Sequence, residues 1–292
     1  MRFSFVAIAS AIVAATPFVA MAAPLRGHLV KRDKASDIGI LNFALTLEHL
    51  EAEFYTQGLH KFGPDAFNDA HFDGKIRERF VHIGAHESTH VTVLTSVIES
   101  LGGTPVPKCT YKFPLDNVET FAAVARALEN TGVSAYLGAA AGISSEDLLT
   151  AAASIATVEG RHSSFLNEIV GEDGAPYAFD TPLTAREVVT IATNFIESCP
   201  FDLGITPFKQ LKASINGDKV ETSYEDEVVD RQTWCQFLYN NKVVVSRREE
   251  CKLPPTVNGY VYVVITDTVK PITLKDEDRI LAGPALLFRG DH

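Results

Sequence analysis

The chain has 292 residues, of which 46% are hydrophobic and 22% are charged, values ordinary for a globular protein with a sizeable core. Its formal net charge is −11, and Lys and Arg do not cluster outside the N-terminus. The charge excludes nucleic-acid binding through a basic surface, and the length allows two modest domains or one large one.

The N-terminus has the pattern of a signal peptide. A basic residue precedes an apolar run and a small-residue cleavage pattern at residues 20–22, although an uncleaved anchor is the alternative. Lys31-Arg32 resembles a dibasic processing site and can also be a chance pair. We predict a signal peptide over residues 1–22 and a propeptide over residues 23–32. The mature protein is then acidic and secreted, with no membrane segment.

From about residue 35 to residue 198, apolar residues recur with the spacing of helices. Breakers divide this region, and Ser144-Ser145 can cap one helix while Thr184-x-x-Glu187 forms a capping box for another. The five predicted helices cover about residues 36–58, 73–101, 116–142, 146–170 and 184–196.

After residue 198 the pattern changes to short β-rich runs separated by Pro, Gly and Asn. The predicted strands cover residues 236–239, 242–246, 260–266 and 280–288. Asn240-Asn241 predicts a hairpin, because Asn tolerates the left-handed conformation of a tight turn. We predict a mainly α fold, with a helical bundle over residues 33–198 and a small antiparallel β domain over residues 199–292. The alternative for the tail is an irregular extension held by cysteines.

The chain has four cysteines, and an even number of cysteines in an exported protein predicts two disulfides. Their spacing leaves three pairings open. They are Cys109, Cys199, Cys235 and Cys251. Because Cys199 lies at the predicted boundary, we expect one bridge to tie the bundle to the tail.

The second predicted helix contains His-Glu-x-x-His, at His86, Glu87 and His90, which is the signature of a zinc protease. Glu87 and His90 alone are also half of a dimetal site in a helix bundle. A zinc protease needs a third ligand downstream, and the next histidine is His162. The protease is therefore disfavoured, and His86 is interpreted as a neighbour that supports a ligand or faces solvent.

The fourth predicted helix repeats Glu-x-x-His at Glu159 and His162, and both helices place these residues where core leucines are expected. The first and third helices each carry an inward-facing glutamate, Glu48 and Glu129. One Glu from each of two helices and Glu-x-x-His from two others is the ligand set of carboxylate-bridged dimetal bundles. The predicted metal ligands are Glu48, Glu87, His90, Glu129, Glu159 and His162.

Charge balance also favours a metal site. Removing a carboxylate from water costs several kcal/mol per ion, so four buried carboxylates need protons or cations. Two divalent ions carry four positive charges, which match four ionised Glu with both His neutral. The oxygen and nitrogen ligands suit Fe or Mn better than copper or zinc alone. The alternative is a metal-free bundle that keeps the acids as a hydrogen-bonded network.

Two tyrosines face the same interior. Tyr55 follows Glu48 by seven residues, and Tyr136 follows Glu129 by seven. They are the candidate catalytic residues, which could orient a Glu or pass an electron. The alternative is that both are core aromatic residues whose hydroxyl is hydrogen-bonded.

Four segments of the helical region carry a family resemblance: LNFALTLEHLEAEFY, HESTHVTVLTSVIESLGG, ALENTGVSAYLG and TVEGRHSSFLNEIVG. They resemble the secreted ferritin-like proteins of fungi, among them stress-response and sexual-development proteins, and are similar to plant desiccation-related proteins. In the tail, NGYVYVVITDT and LAGPALLF resemble such proteins more loosely. The spacing of Glu48 and Tyr55 also resembles that in bacterioferritin and rubrerythrin.

This resemblance implies a role for each ligand and a four-helix bundle with a fifth helix. It implies that Glu48 and Glu129 are terminal ligands and that Glu87 and Glu159 bridge the metals. By the same likeness, each histidine binds one ion, and the two histidines are His90 and His162.

Two functions are expected. The first is a secreted oxidoreductase whose two Fe or Mn ions react with O2 or peroxide, in peroxide breakdown or in ferroxidase-type iron oxidation. Its partners are a small oxidant or metal ions, and iron storage is disfavoured because a β tail would hinder assembly of a closed shell. The second is a non-enzymatic stress or developmental protein of the cell wall or matrix, attached through its tail and carrying a vestigial metal site.

Overall fold

The computed structural model describes residues 34–227 and 232–290. Within these ranges, six α-helices precede a C-terminal region of small antiparallel sheets. The predicted architecture, a helical bundle with an additional helix and a β-rich tail, is confirmed. The predicted signal peptide and propeptide lie outside the described residues.

The five predicted helices are present, four of them close to their predicted bounds, whereas the fifth ends at Ala192 and Ile196–Ser198 form a strand. The helices are α1 (Lys34–Lys61), α2 (Pro64–Asp69), α3 (Gly74–Ser100), α4 (Val118–Ala140), α5 (Glu146–Glu168) and α6 (Ala185–Ala192). The six-residue α2 was not predicted, because it is too short to show a helical period. It starts with Pro64, which suits the first helical position, and it buries Phe67 against Phe80.

Side-chain caps fix where most of these helices begin. Asp73, Asn117 and Ser145 each accept a hydrogen bond from a backbone N–H in the first turn of the helix that follows. Thr184 and Glu187 form the predicted capping box at the start of α6. The bundle therefore begins its helices at sites that are readable in the sequence.

Two apolar clusters fill the bundle, one toward each end. Helix α1 packs along α3, α4 packs along α5, and α1 also meets α4. The first cluster is aromatic: Phe121 lies 5.0 Å from Phe54 and 5.1 Å from Phe80 between ring centroids. Gly58 allows this approach, since a Cβ there would lie 2.1 Å from the ring of Phe121. The second cluster is mainly aliphatic and includes Leu94.

Two short strands pair with each other within the helical region, and six further strands in the described residues form the tail. The strands are β1 (Thr110–Tyr111), β2 (Ile196–Ser198), β3 (Leu211–Asn216), β4 (Lys219–Tyr224), β5 (Trp234–Tyr239), β6 (Lys242–Arg247), β7 (Gly259–Thr266) and β8 (Ile280–Arg289). Four of them form an antiparallel sheet in the order β6-β5-β7-β8, and β3 pairs with β4. The four predicted strands correspond to β5 to β8, whereas the hairpin of β3 and β4 was not predicted.

The predicted turn between β5 and β6 is confirmed. Asn240 and Asn241 have φ angles of 48° and 52°, and the flanking residues Tyr239 and Lys242 are paired. Two successive left-handed residues match the twist of an antiparallel hairpin.

The sheet packs directly on the helices. Leu238 of β5 and Val264 of β7 share an apolar cluster with Phe43 of α1 and Val188 of α6. The hydroxyl of Tyr262 in β7 accepts a hydrogen bond of 2.7 Å from the side-chain amide of Asn130. The four-stranded sheet is thus held to the bundle by apolar and polar contacts.

Two disulfides are present, as predicted. Cys109, in the connection between α3 and α4, is bonded to Cys199, just after α6, and Cys235 is bonded to Cys251. The first bridge joins the bundle to the first residue of the predicted tail. None of the helices in the described ranges combines the length and apolar character needed to cross a lipid bilayer.

We expect the two disulfides to stabilise the protein unequally. They span 90 and 16 residues, and in the chain-entropy model the longer loop loses more unfolded-state entropy, for about 4.5 against about 3 kcal/mol. Urea unfolding of Cys109→Ser/Cys199→Ser should therefore show the larger loss, with Cys235→Ser/Cys251→Ser as the matched control. An equal or reversed order would contradict this prediction.

Candidate metal centre

The six predicted ligands come from four helices and are buried. Helix α3 supplies Glu87 and His90, and α5 supplies the corresponding pair, while α1 and α4 supply one glutamate each. The exposed fraction is 0 to 1% for the four glutamates and 5 to 8% for the two histidines. Each ligand lies on the helical face that the apolar spacing assigned to the interior.

The structure brings these six residues together as two overlapping groups of four. In each group, one ligand atom from every residue lies within 4.8 Å of the others. The groups are Glu48, Glu87, His90 and Glu159, and Glu87, Glu129, Glu159 and His162. Glu87 and Glu159 belong to both groups, which is compatible with two metal ions that share two carboxylates.

Each histidine directs one ring nitrogen into its group. His90 Nδ1 lies 3.0 Å from a carboxylate oxygen of Glu87, 3.1 Å from one of Glu48 and 3.3 Å from one of Glu159. His162 Nδ1 lies 3.0 Å from Glu129 Oε2 and 3.1 Å from Glu87 Oε1. Three carboxylates therefore converge on His90 Nδ1, where a single N–H can donate to only part of them.

The carboxylate oxygens and imidazole nitrogens of the two groups are better compensated by bound cations than by protons alone. Glu87 Oε1 and both carboxylate oxygens of Glu159 are buried without a hydrogen-bond partner among the described residues. A buried carboxylate oxygen that accepts no hydrogen bond is costly, and metal coordination is one way to compensate it. The residues in both groups are thus suited to hold divalent ions.

Without metal, four of the predicted ligands have strongly shifted pKa values, and these are Glu48, His90, Glu129 and His162. Burial, followed by repulsion from Glu159, raises the pKa of Glu129 to about 8, and burial also raises the pKa of Glu48. Burial alone would lower the pKa of His90 and His162, but the surrounding carboxylates raise both to about 12. The metal-free site therefore takes up protons that metal ions would displace.

The two predicted tyrosines each hold a glutamate of the opposite helix. Tyr55 of α1 donates a 2.5 Å hydrogen bond to Glu129 of α4, and Tyr136 of α4 donates one of 2.5 Å to Glu48 of α1. Burial, and then the charge of the bonded glutamate, raise the pKa of both tyrosines, so their hydroxyls remain donors. The Glu and Tyr of one helix do not bond each other, a reciprocal arrangement that sequence spacing did not reveal.

His86, the first histidine of the protease-like motif, lies on the outer side of the site. Its Nδ1 is 3.0 Å from Nε2 of His162, and the two rings are stacked with centroids 5.2 Å apart. His86 is exposed and belongs to neither ligand group found in the described part of the chain. It can therefore orient the ring of His162 from outside.

One buried acid near the ligands was not predicted as a site residue. Glu51 lies one turn after Glu48 on the same face of α1 and is only 3% exposed. Its spacing from Glu48 was the available signal, but the dimetal ligand pattern contains no place for a second glutamate on this helix.

Comparison with known proteins agrees with this geometry. The family model of the ferritin-like domain matches residues 36–172, which include nearly all of α1, all of α2 to α5 and all six predicted ligands. None of the curated proteins matches the sequence. The chain therefore carries a ferritin-like domain, and its Glu/His cluster is compatible with a dimetal site.

The metal-free protein is expected to lose stability as the pH rises. The pKa of Glu129 is raised from 4.5 to about 8 on folding, so the folded chain binds the additional proton between these values. The stabilisation that this proton provides is complete at pH values below the pKa of the glutamate in the unfolded chain. It is lost as the pH rises through the pKa of the glutamate in the folded chain. The raised pKa values of His90 and His162 act in the same direction above 6.5.

Circular dichroism should therefore show a falling melting temperature for metal-free protein between about pH 5 and about pH 9. Glu129→Gln removes one titrating group and should reduce the slope, whereas Glu53→Gln, on the outer side of α1, should leave it unchanged. A melting temperature that rises over this range would contradict the prediction.

Proposed function

We propose that this protein is a secreted oxidoreductase whose ferritin-like domain holds a carboxylate-bridged pair of Fe or Mn ions. The observation that carries the proposal is the pair of overlapping ligand groups that share Glu87 and Glu159. In this assignment Glu48 and His90 complete one site, and Glu129 and His162 complete the other.

The charges of the site support this assignment. Four ionised glutamates carry four negative charges, and two divalent ions neutralise them when both histidines are neutral. The oxygen and nitrogen donors are those that Fe and Mn accept. When bound, such a metal pair supplies the capacity to exchange electrons with O2 or peroxide.

The surrounding residues position the ligands and limit the access of water. Tyr55 and Tyr136 each donate a hydrogen bond to a terminal glutamate, which fixes the orientation of that carboxylate. The aromatic cluster beside Tyr55 and the aliphatic cluster beside Tyr136 enclose the site from both ends. A role of either tyrosine in passing an electron stays a prediction.

Two features support the proposal of secretion. Residues 1–22 have the pattern of a signal peptide, and disulfides persist in oxidising compartments. Together with the redox-capable ligand set, secretion supports a role in oxidative stress or metal handling outside the cell. We propose O2 or peroxide as the oxidant.

We expect protein purified after native secretion to carry about two Fe or Mn ions per chain by elemental analysis. Glu87→Ala and Glu159→Ala should each lose both ions, because these residues belong to both ligand groups. Glu48→Ala and Glu129→Ala are the matched controls, since each belongs to one group and should lose one ion preferentially.

The alternative, a non-enzymatic wall or matrix protein with a vestigial site, gives the opposite result in the same samples. A metal-free wild type whose melting temperature is unchanged or raised by Glu159→Ala would favour it, because the substitution relieves repulsion. In a loaded site, the same substitution lowers the melting temperature. Peroxide consumption and Fe(II) oxidation by the loaded protein then separate the two candidate reactions.

We expect Tyr136→Phe and Tyr55→Phe to weaken metal binding without abolishing it. Loss of a hydrogen bond that orients a ligand reduces metal affinity by about 10- to 100-fold, which titration calorimetry can measure. Tyr111→Phe removes a buried hydroxyl bonded to the backbone of Cys109, outside the site, and is the control. Equal affinities in all three variants would assign the two tyrosines to packing alone.

A further inference from the structure

A cavity of about 230 Å³ lies between the helical bundle and the β-rich tail. Its walls come from α4 and α5, from residues 174–181 in the connection between α5 and α6, and from β7. Phe179 and Asp180 line the cavity and are exposed, whereas Ser163 and Tyr262 also line it and are buried. The cavity therefore runs from an exposed rim to a buried floor, and both parts of the protein enclose it.

Two buried polar side chains in this cavity have hydrogen-bonding groups without a partner. Ser163 is 9% exposed, and its hydroxyl forms no hydrogen bond with any of the described residues. Asn167 is 3% exposed, and its side-chain oxygen accepts a hydrogen bond of 3.0 Å from Arg126. The amide nitrogen of Asn167 has no acceptor in the described part of the chain. Because buried polar groups are normally paired, these two groups are suited to bind a further molecule.

Gly160 leaves additional space in the same wall. It lies within α5, where glycine is unfavourable compared with alanine, and a Cβ at this position would meet no atom within 4 Å. Two other helical glycines are explained by close packing, since a Cβ would lie 2.1 Å from a neighbouring atom at Gly58 and 1.6 Å at Gly138. Packing does not explain Gly160, whose missing side chain enlarges the cavity.

The groups that line the cavity favour a neutral ligand with several hydroxyl groups. The hydroxyl of Ser163 can donate and accept, the amide of Asn167 donates, and the carboxylate of Asp180 accepts. None of the described lining residues is Lys, Arg or His, so a phosphate group would lack a counter-charge. Phe179, 60% exposed, and Tyr260 supply aromatic surface for the apolar groups of the ligand.

We propose that this cavity binds one neutral sugar residue, either a free hexose or the end unit of a polysaccharide. A hexose combines hydroxyl groups around its ring with apolar C–H groups on its faces. The cavity has the volume of about eight molecules of liquid water, which is room for one hexose ring. None of the six predicted metal ligands lines the cavity, so the inference is independent of the metal pair.

The test uses the whole secreted protein in metal-free form and measures sugar dissociation constants by saturation-transfer NMR. The probes are glucose, N-acetylglucosamine and cellobiose, and we expect at least one of them to bind. Glucose 6-phosphate should bind more weakly than glucose, because the described lining carries no cation. Tighter binding of cellobiose than of glucose identifies the end unit of a polysaccharide, and equal binding identifies the free hexose.

A variant that fills the cavity tests where the sugar binds. Gly160→Leu places a side chain in the open space beside α5 and should abolish sugar binding. Gly39→Leu is the matched control, because this glycine is also helical, a Cβ there also meets no atom within 4 Å, and the residue does not line the cavity. Circular dichroism should show the same helix content in both variants.

Two further variants remove single contacts. Ser163→Ala should weaken sugar binding about fivefold through loss of one hydrogen bond. Its melting temperature should be unchanged or raised, because the hydroxyl has no partner in the described residues. Phe179→Ala removes an exposed ring and should weaken binding about fivefold as well.

The outcomes decide the proposal without reference to metal content. Loss of binding in Gly160→Leu and weaker binding in Ser163→Ala, with an unchanged Gly39→Leu control, support it. A wild type that binds none of the three sugars overturns it and assigns the cavity to water alone. Sugar binding that persists at full strength in Gly160→Leu also overturns it, because the sugar then binds elsewhere.

Discussion

The burial of carboxylates and imidazoles at the centre of a helix bundle is the constraint on which the rest of this structure depends. Each buried carboxylate costs several kcal/mol unless it is compensated, so the site is destabilising by itself. The apolar clusters at its two ends supply stabilisation through burial. Bound cations would compensate the remaining charge, because Glu87 and Glu159 have buried oxygens without a hydrogen-bond partner among the described residues.

The bundle meets this constraint with two similar halves. Helices α1 and α4 each supply a glutamate and a tyrosine, and each tyrosine is bonded across the bundle to the glutamate of the other helix. These crossed hydrogen bonds tie the two helix pairs together through the ligands themselves. The halves differ where Glu51 faces Gly132, so the two ligand groups have unequal surroundings.

The β-rich tail contributes to the position of one ligand helix. Tyr262 of β7 is bonded to Asn130 and Ser134, on the outer face of α4, next to the ligand Glu129. Leu183, just before α6, donates its backbone N–H to the carbonyl of Ser134. Since these contacts hold α4 from outside, changes in the tail can reach the site through the orientation of this helix.

The sequence by itself determined the features that depend on neighbours along the chain. Helical spacing identified the inward faces and the six Glu and His residues that the structure brings together, and Thr184 and Asn240 marked a cap and a turn. The tertiary structure decided the disulfide pairing, the crossed tyrosine hydrogen bonds and the contact of Glu51 with Gly132. These features join residues tens of positions apart, and a helical period fixes which face a residue occupies but not which residue it meets across the bundle.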